Sequence, residues 1–486
     1  MRDADALEGL RGDIRARALA DETALARRLI SEADIGEDAR ARARAMAAEF
    51  VAASRANAAR SGLIEKFLQE YGLSSAEGVT LMRLAEALLR TPDAATTDAL
   101  IKDKVEAGDW AAHRGNSPFP LVNFSTRALM LTAAFLDEIE AQNPAGRIVK
   151  ATKELLDRVG EPVIRASLAQ AMRLLGEHFV LGETIDEALR RGRAFAAKGY
   201  LFSFDMLGEA ALTAADAQAY FEKYARAITA IGEAARQDRP ADNPGVSVKL
   251  SALNPRYDYA KKERVLRELA AFLRALALMA RARNIGLTID AEESYRLDLS
   301  LDLIEGVMRD PAFAGWDGFG VVVQAYQRRA PAVIDFLAAL ARAANRRVML
   351  RLVKGAYWDG EIKRAQVMGL QSYPVFTRKI MTDVSFTACA RKLFRNADVL
   401  YPQFATHNAL TAATVIEMAG GARNFELQRL HGMGEALHDR LLAQGARSRI
   451  YAPVGGHRAL LPYLVRRLLE NGANSSFVNQ LIDPDL

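Results

Sequence analysis

The chain has 486 residues, 50% of them apolar and 26% charged, a balance that supports a sizeable core and excludes disordered, collagen-like and membrane-spanning classes. At ~150 residues per domain the length allows one large domain and one or two smaller ones. Lys and Arg number 65 against 60 Asp and Glu, and the net charge of +5 is spread without a polybasic tract, so anionic small molecules are better partners than nucleic acid.

A lone cysteine, Cys389, excludes an internal disulfide framework and any multi-Cys metal site, and suggests a reducing compartment. The opening text, MRDADALEGLRGD, mixes acids with bases and lacks the apolar stretch of a secretory signal. No segment approaches the ~18 consecutive apolar residues of a spanning helix, so any membrane contact is expected to be peripheral.

In chain order, residues 1–90 are rich in Ala, Arg and Glu, with apolar residues at helical spacing (Leu25, Leu29, Ile30, then Ala43, Ala47, Phe50), and read as an all-helical arm. Residues 91–175 form an irregular connector followed by helices. Its turn-rich start contains Thr-Pro-Asp, Gly-Asp-Trp and Gly-Asn-Ser-Pro-Phe-Pro.

Within residues 176–486 the period changes. Short runs rich in Val, Ile, Leu and Phe, at 200–205, 246–250, 286–290, 319–324, 348–354, 401–406, 425–428 and 448–454, alternate with amphipathic helical text. Eight strands alternating with helices predict an α/β fold, a (β/α)8 TIM-type barrel preceded by the helical arm and helical domain. Polar residues trail these runs: Asp205, Lys249, Asp290, Gln324, Lys354, His407, Gln428 and Tyr451. Such ends converge on one mouth of a barrel, where active sites are built.

No Rossmann glycine fingerprint, P-loop, zinc-type histidine spacing or Gly-x-Ser-x-Gly elbow is present, and no metal is expected. Lys249 and Lys354 each read as a Schiff-base nucleophile, an anion partner or a strand terminus whose ammonium reaches water. Arg351, inside a strand, needs an anionic or hydrogen-bonding partner wherever it points. By spacing alone, the pair Arg466 and Arg467 reads as a solvated helix face, since arginine pairs recur at 27–28, 190–191, 328–329 and 346–347.

Longer phrases add to this reading. SFDMLGEAALTAADAQAY (203–220), VSVKLSALNPRY (246–257), IDAEE (289–293), RLVKGAYWDGEIKRAQ (351–366), YPQFATHNALT (401–411), LHGMGE (430–435) and the closing stretch RIYAPVGGHRALLPYLVRRLLENGANSSFVN (449–479) resemble the flavin-dependent proline dehydrogenase domain of the bacterial proline utilization A family. The resemblance implies a barrel holding FAD without a Rossmann unit. It implies oxidation of L-proline to Δ1-pyrroline-5-carboxylate by hydride transfer, with electrons passed to quinone, and a cytoplasmic protein peripheral to the inner membrane.

By the same resemblance Asp290 and Arg351 are catalytic, and Lys249, Tyr357, Leu430, Tyr451, Arg466 and Arg467 bind the substrate. Arg351, Ala291, Gln324, Lys354, Gly355, Ala356, Trp358, Thr406, His407, Asn408, Gln428, Glu470 and Phe477 are the expected FAD contacts. An aldehyde dehydrogenase half, usual in the family, is absent from this sequence, as is a ribbon-helix-helix DNA-binding domain, and no nucleic-acid partner is expected. The residues alone leave two other readings open: a Schiff-base aldolase using Lys249 or Lys354, and a helical adaptor working through the arm.

Overall fold

The computed structural model describes residues 2–58, 179–208, 210–421 and 423–456. Arg466, Arg467, Glu470 and Phe477, and the connector at 91–175, lie outside the described residues. The chain divides into two compact units, Met1–Ala53 with Leu181–Gly455, and Ser54–Val180 with Gly456–Leu486. The barrel belongs to the first.

Eight strands form it: β1 (Leu201–Met206), β2 (Gly245–Val248), β3 (Gly286–Ile289), β4 (Phe319–Gln324), β5 (Val348–Val353), β6 (Leu400–Ala405), β7 (Glu426–Leu430) and β8 (Ser448–Val454). Each pairs in parallel with its neighbours, and β1 pairs with β8 to close the ring. The strands match the predicted runs to within a residue or two. One difference matters: β7 continues to Leu430, so Gln428 lies within the strand and not at its end.

The helices of the described residues are α1 (Arg2–Ala16), α2 (Glu22–Ala33), α3 (Glu37–Ala58), α4 (Ile185–Ala197), α5 (Ala214–Ala234), α6 (Lys262–Ala282), α7 (Leu297–Arg309), α8 (Ala330–Ala343), α9 (Trp358–Val367), α10 (Lys379–Arg395), α11 (Ala409–Ala419) and α12 (Glu435–Ala443). Their starts follow from local chemistry. Thr213 and Asp216 form a reciprocal capping box on α5, each side chain satisfying a backbone N–H that the helix leaves open. Asn408 caps α11 by accepting from the Thr411 N–H at 2.9 Å.

Burial follows the helical period. On α6, Val265, Leu269, Leu273, Leu276 and Ala280 form one buried stripe against the sheet. By contrast α8 is buried nearly all round, because α1 covers the face that would otherwise meet water, with the Arg11 guanidinium 5.4 Å from the centre of the Phe336 ring. Leu25 and Leu29 of α2 pack with Phe376 and Ala388. The first helices of the arm are therefore seated on the outside of the barrel.

Alternation along the strands separates two environments. Val246, Val248, Leu287, Leu350, Leu352, Phe404, Leu427 and Ile450 are fully buried between strands and helices. Many of the alternate positions are polar, among them Ser203, Ser247, Thr288, Arg351, Gln403, Gln428 and Arg449, and are buried inside the ring.

Candidate active site

The barrel interior holds charges, and each must find a partner because ions away from water are costly. At the end where the strands begin, Arg449 meets the carboxylate of Glu426 at 2.6 and 3.1 Å. Its remaining donors reach the carbonyls of Phe202, Asn243 and Ala241 at 2.7 to 3.0 Å. Gln403 and Gln428 also donate to Glu426, at 2.9 and 2.7 Å. This network plugs the floor.

Arg351 crosses the interior above it. From β5 one guanidinium nitrogen donates to Asp290 at 3.0 Å, and another donates to the hydroxyls of Ser203 on β1 and Ser247 on β2, both at 3.1 Å. Five donors in a planar fork suit this span, which a lysine could not make. The arginine that the sequence left without a partner has three.

At the mouth, Lys249 donates to Asp205 at 2.7 Å, to the Tyr451 hydroxyl at 3.3 Å and to Asp290 at 3.4 Å. Tyr451 donates to the same Asp290 oxygen at 2.6 Å, and the Arg351 guanidinium lies 5.1 Å from the centre of its ring. Two cations and two carboxylates thus share one site. Burial pulls the Lys249 ammonium down, but attraction to Asp205, Tyr451 and Asp290 outweighs it and raises its pKa well above the ordinary value. Burial and the anions of Asp205 and Asp290 raise the Tyr451 phenol, keeping it a donor.

These directions bear on the aldolase reading. A Schiff-base lysine needs a depressed pKa and a free lone pair, whereas Lys249 is held as an ammonium with its donors directed at acceptors. Lys354 is paired with Asp383 at 2.6 Å. Neither lysine has the surroundings of a nucleophile.

The other predicted residues line the ends of β3 to β7. Gln324 ties neighbouring loops together, donating to the Glu292 carbonyl at 2.8 Å and accepting from the Ala356 N–H at 3.3 Å, beside Ala291 on the same turn. Lys354, Gly355, Ala356 and Tyr357 link β5 to α9. Gly355 has φ +138°, and a Cβ there would lie 2.4 Å from the Tyr326 ring, so only glycine fits. Trp358 is 41% exposed and donates to the Phe376 carbonyl at 2.8 Å.

After β6, buried Thr406 accepts from the Asn408 N–H at 3.1 Å, and His407 accepts from the Leu430 N–H at 3.0 Å through Nε2. The structure brings Lys249, Asp290, Arg351 and Tyr451 into direct contact. Lys354, Trp358 and Asn408 are bonded elsewhere: Lys354 to Asp383 on α10, Trp358 to the Phe376 carbonyl and Asn408 to the Thr411 N–H.

Several participants were not singled out. Asp205 was seen only as a strand end, and Ser203 sits two residues before it on the same face, a spacing that marks an inward pair. Glu426 stands in the same relation to Gln428, and Arg449 to Tyr451. Among the described residues no group of three or more His, Cys, Asp and Glu side chains could hold a metal ion, and no helix is long and apolar enough to cross a membrane.

Comparison with known proteins places this geometry. The family model for proline dehydrogenase matches residues 188–480, and a model described as the DNA-binding domain of proline dehydrogenase matches residues 63–179, nearly all outside the described residues. The bifunctional protein PutA of Escherichia coli (strain K12) is 53% identical over 436 residues, covering 88% of this chain and 33% of that protein. Proline dehydrogenase 1 of Bacillus subtilis (strain 168) is 29% identical over 315 residues, covering 64% of this chain and 91% of that protein.

A crystal structure of a Bradyrhizobium japonicum proline utilization A mutant superposes with a TM-score of 0.73 at 50% identity, covering 96% of this chain and 46% of that one. The proline utilization A of Bdellovibrio bacteriovorus, inactivated by N-propargylglycine, gives 0.64 at 26% identity, covering 84% and 43%. The chain spans about a third of the length of the first of these curated relatives. A family model that matches more than half of the chain and spans all eight barrel strands settles the family: the chain belongs to the proline dehydrogenase family and carries its (β/α)8 barrel domain.

Proposed function

We propose that this chain oxidises L-proline to Δ1-pyrroline-5-carboxylate using FAD, passing the electrons to quinone, as the first step of proline catabolism. The observation that carries the reading is the buried cluster of Lys249, Asp290, Arg351 and Tyr451 at the mouth, in a chain of the proline dehydrogenase family. Family membership implies a flavin; FAD itself, the quinone acceptor and a location in the cytoplasm at the inner-membrane surface are proposals.

The residues present fit a flavin. Several buried polar atoms lack a protein partner, among them Gln428 Oε1 in the interior and Arg351 Nε. Lys354 and His407 would face its pyrophosphate, where cationic and polar donors replace a glycine loop. Gln324, Thr406 and Trp358, with the backbone of Ala291, Gly355 and Ala356, would line it, and Asn408, Gln428, Glu470 and Phe477 are the further expected contacts. When bound, the flavin supplies the hydride acceptor.

This chain's own residues do the rest. Arg466 and Arg467 are the proposed clamp for the proline carboxylate, because a guanidinium pair fixes both position and angle. Lys249 would join them by exchanging its two long contacts, at 3.3 and 3.4 Å, while keeping Asp205 at 2.7 Å. Asp290 holds the cationic groups in register by accepting from Lys249, Arg351 and Tyr451. Tyr357, Leu430 and Tyr451 would wall the ring methylenes, and the anchored ring presents the carbon next to nitrogen for hydride loss. Arg351 would bond near the reactive edge of the flavin and offset the negative charge that the flavin gains in accepting hydride.

The test is steady-state kinetics with L-proline and a soluble quinone analogue. Lys249→Met is expected to raise the proline KM by about tenfold or more with bound flavin retained, since it removes one charge-assisted contact. An unchanged KM would remove Lys249 from the substrate site. Borohydride treatment with a carbonyl substrate should leave no covalent adduct on Lys249 or Lys354.

A further inference from the structure

The arm reaches the mouth of the barrel at two points, and both run through the consecutive arginines Arg328 and Arg329, which follow β4. Neither is a solvated pair: their relative exposures are 2% and 5%. Arg328 donates to the carbonyl of Ala20 at 2.6 Å and to Glu22, the first residue of α2, at 2.8 Å. Glu22 in turn accepts from both the N–H and the hydroxyl of Thr377, each at 3.0 Å.

One carboxylate therefore joins the loop after β4 to the segment before α10. Those two stretches are also paired directly. The Phe376 N–H donates to the Tyr326 carbonyl at 2.8 Å, the Arg328 N–H donates to the Pro374 carbonyl at 3.2 Å, and Gln327 bridges Val375 in antiparallel fashion. The pairing carries residues of the expected flavin wall. Phe376 accepts from the Trp358 indole at 2.8 Å, and the Tyr326 ring lies against Gly355.

The second point is similar in kind. Arg11 of α1, 3% exposed, donates to the carbonyl of Asp298 at 2.9 Å and to the Asp302 carboxylate at 3.0 Å. Asp298 also meets Arg329 at 3.2 Å, and Arg329 donates to the Ser294 carbonyl in the loop after β3. Ser294 donates to Glu361 of α9 at 2.6 Å.

We infer that α1 and α2 form an intramolecular clasp on the loops after β3 and β4, and that Glu22 is a positioning residue for the Gly355 and Trp358 side of the cofactor wall. The inference rests on the flavin reading above. Removing Glu22 leaves Arg328 buried without its counter-ion and frees the Thr377 N–H, so the paired segments loosen where the wall is attached.

The experiment uses the full chain. Amide exchange over residues 325–328 and 371–377 is followed by mass spectrometry without added flavin, and FAD affinity is measured separately by quenching of flavin fluorescence. Glu22→Ala is expected to speed exchange in those segments roughly tenfold and to weaken FAD binding several-fold, with the circular dichroism spectrum unchanged. Arg328→Met should weaken FAD to a similar degree, and the double variant should be no worse than the singles, because both remove one connection. Arg42→Met, which breaks an arm contact to Glu417 on α11 remote from these loops, is the control and should do neither.

Exchange at the wild-type rate in Glu22→Ala overturns the clasp, and so does equal weakening by Arg42→Met. Faster exchange with unchanged FAD affinity overturns the positioning role. A wild-type protein that takes up no flavin sinks the functional reading instead, and is recognised before any variant is compared.

Discussion

Asp290 shows how one side chain decides a site. It accepts from Lys249, Arg351 and Tyr451, so its loss leaves two buried cations facing each other with a single remaining carboxylate, Asp205. Breaking a buried ion pair by removing one partner costs about 3–5 kcal/mol, and Asp290→Ala should lower unfolding stability in urea by that order. A loss below about 1 kcal/mol would mean that water already screens the cluster. His438 makes a separate prediction. Burial lowers its pKa to about 3, with Nδ1 against Ser448 and Nε2 against the Thr406 carbonyl. The unfolded chain therefore binds a proton below its ordinary value of 6.5 while the folded chain does not, so stability falls as pH drops from 6.5 toward 3. The contribution is about 1.4 kcal/mol per pH unit, and the stability of His438→Gln should depend less on pH over that window. Asp290, Arg351 and Lys249 were legible as strand-end or in-strand charges. Arg328 and Arg329 were not, because the arm partners of Arg328 lie some three hundred positions away and those of Arg329 some thirty, and neither separation leaves a local pattern.

The strands were the most legible elements, since each is a β-branched or aromatic run bounded by turns, and eight of them in alternation with helices admit few other closed sheets. The end of β7 was misjudged because Gln428 reads as a polar terminus, whereas its amide nitrogen donates to Glu426 inside the ring. The described part of the arm, residues 2–58, was legible as helices but not as a covering layer. What identifies its seat is the all-round burial of α8, a property of the partner helix and not of the arm's own text. Two element-level changes follow from local geometry. Gly355→Ala places a Cβ at 2.4 Å from the Tyr326 ring at φ +138°, and should cost about 1–3 kcal/mol in thermal or urea unfolding. Asn408→Ala removes the cap of α11 and should cost about 1 kcal/mol; a neutral result would show that Thr411 finds another acceptor.

At the scale of the molecule, the barrel turns apolar side chains outward to the helices and carries many polar ones inward, where such a fold is usually filled by branched apolar layers. A polar interior is stable only when its charges are paired, and the floor of Glu426 and Arg449, the crossing Arg351 and the Lys249, Asp205 and Asp290 cluster at the mouth supply that pairing. The proposed binding of the proline carboxylate beside a flavin draws on this arrangement, and it is the claim on which the rest depends. The direct test is the visible absorbance of the FAD-reconstituted chain under anaerobic conditions, before and after addition of L-proline. The account predicts an oxidised flavin spectrum that bleaches on proline addition and returns when a quinone is supplied. A chain that binds flavin with its spectrum unmoved by proline, or that stays colourless after reconstitution, would contradict it.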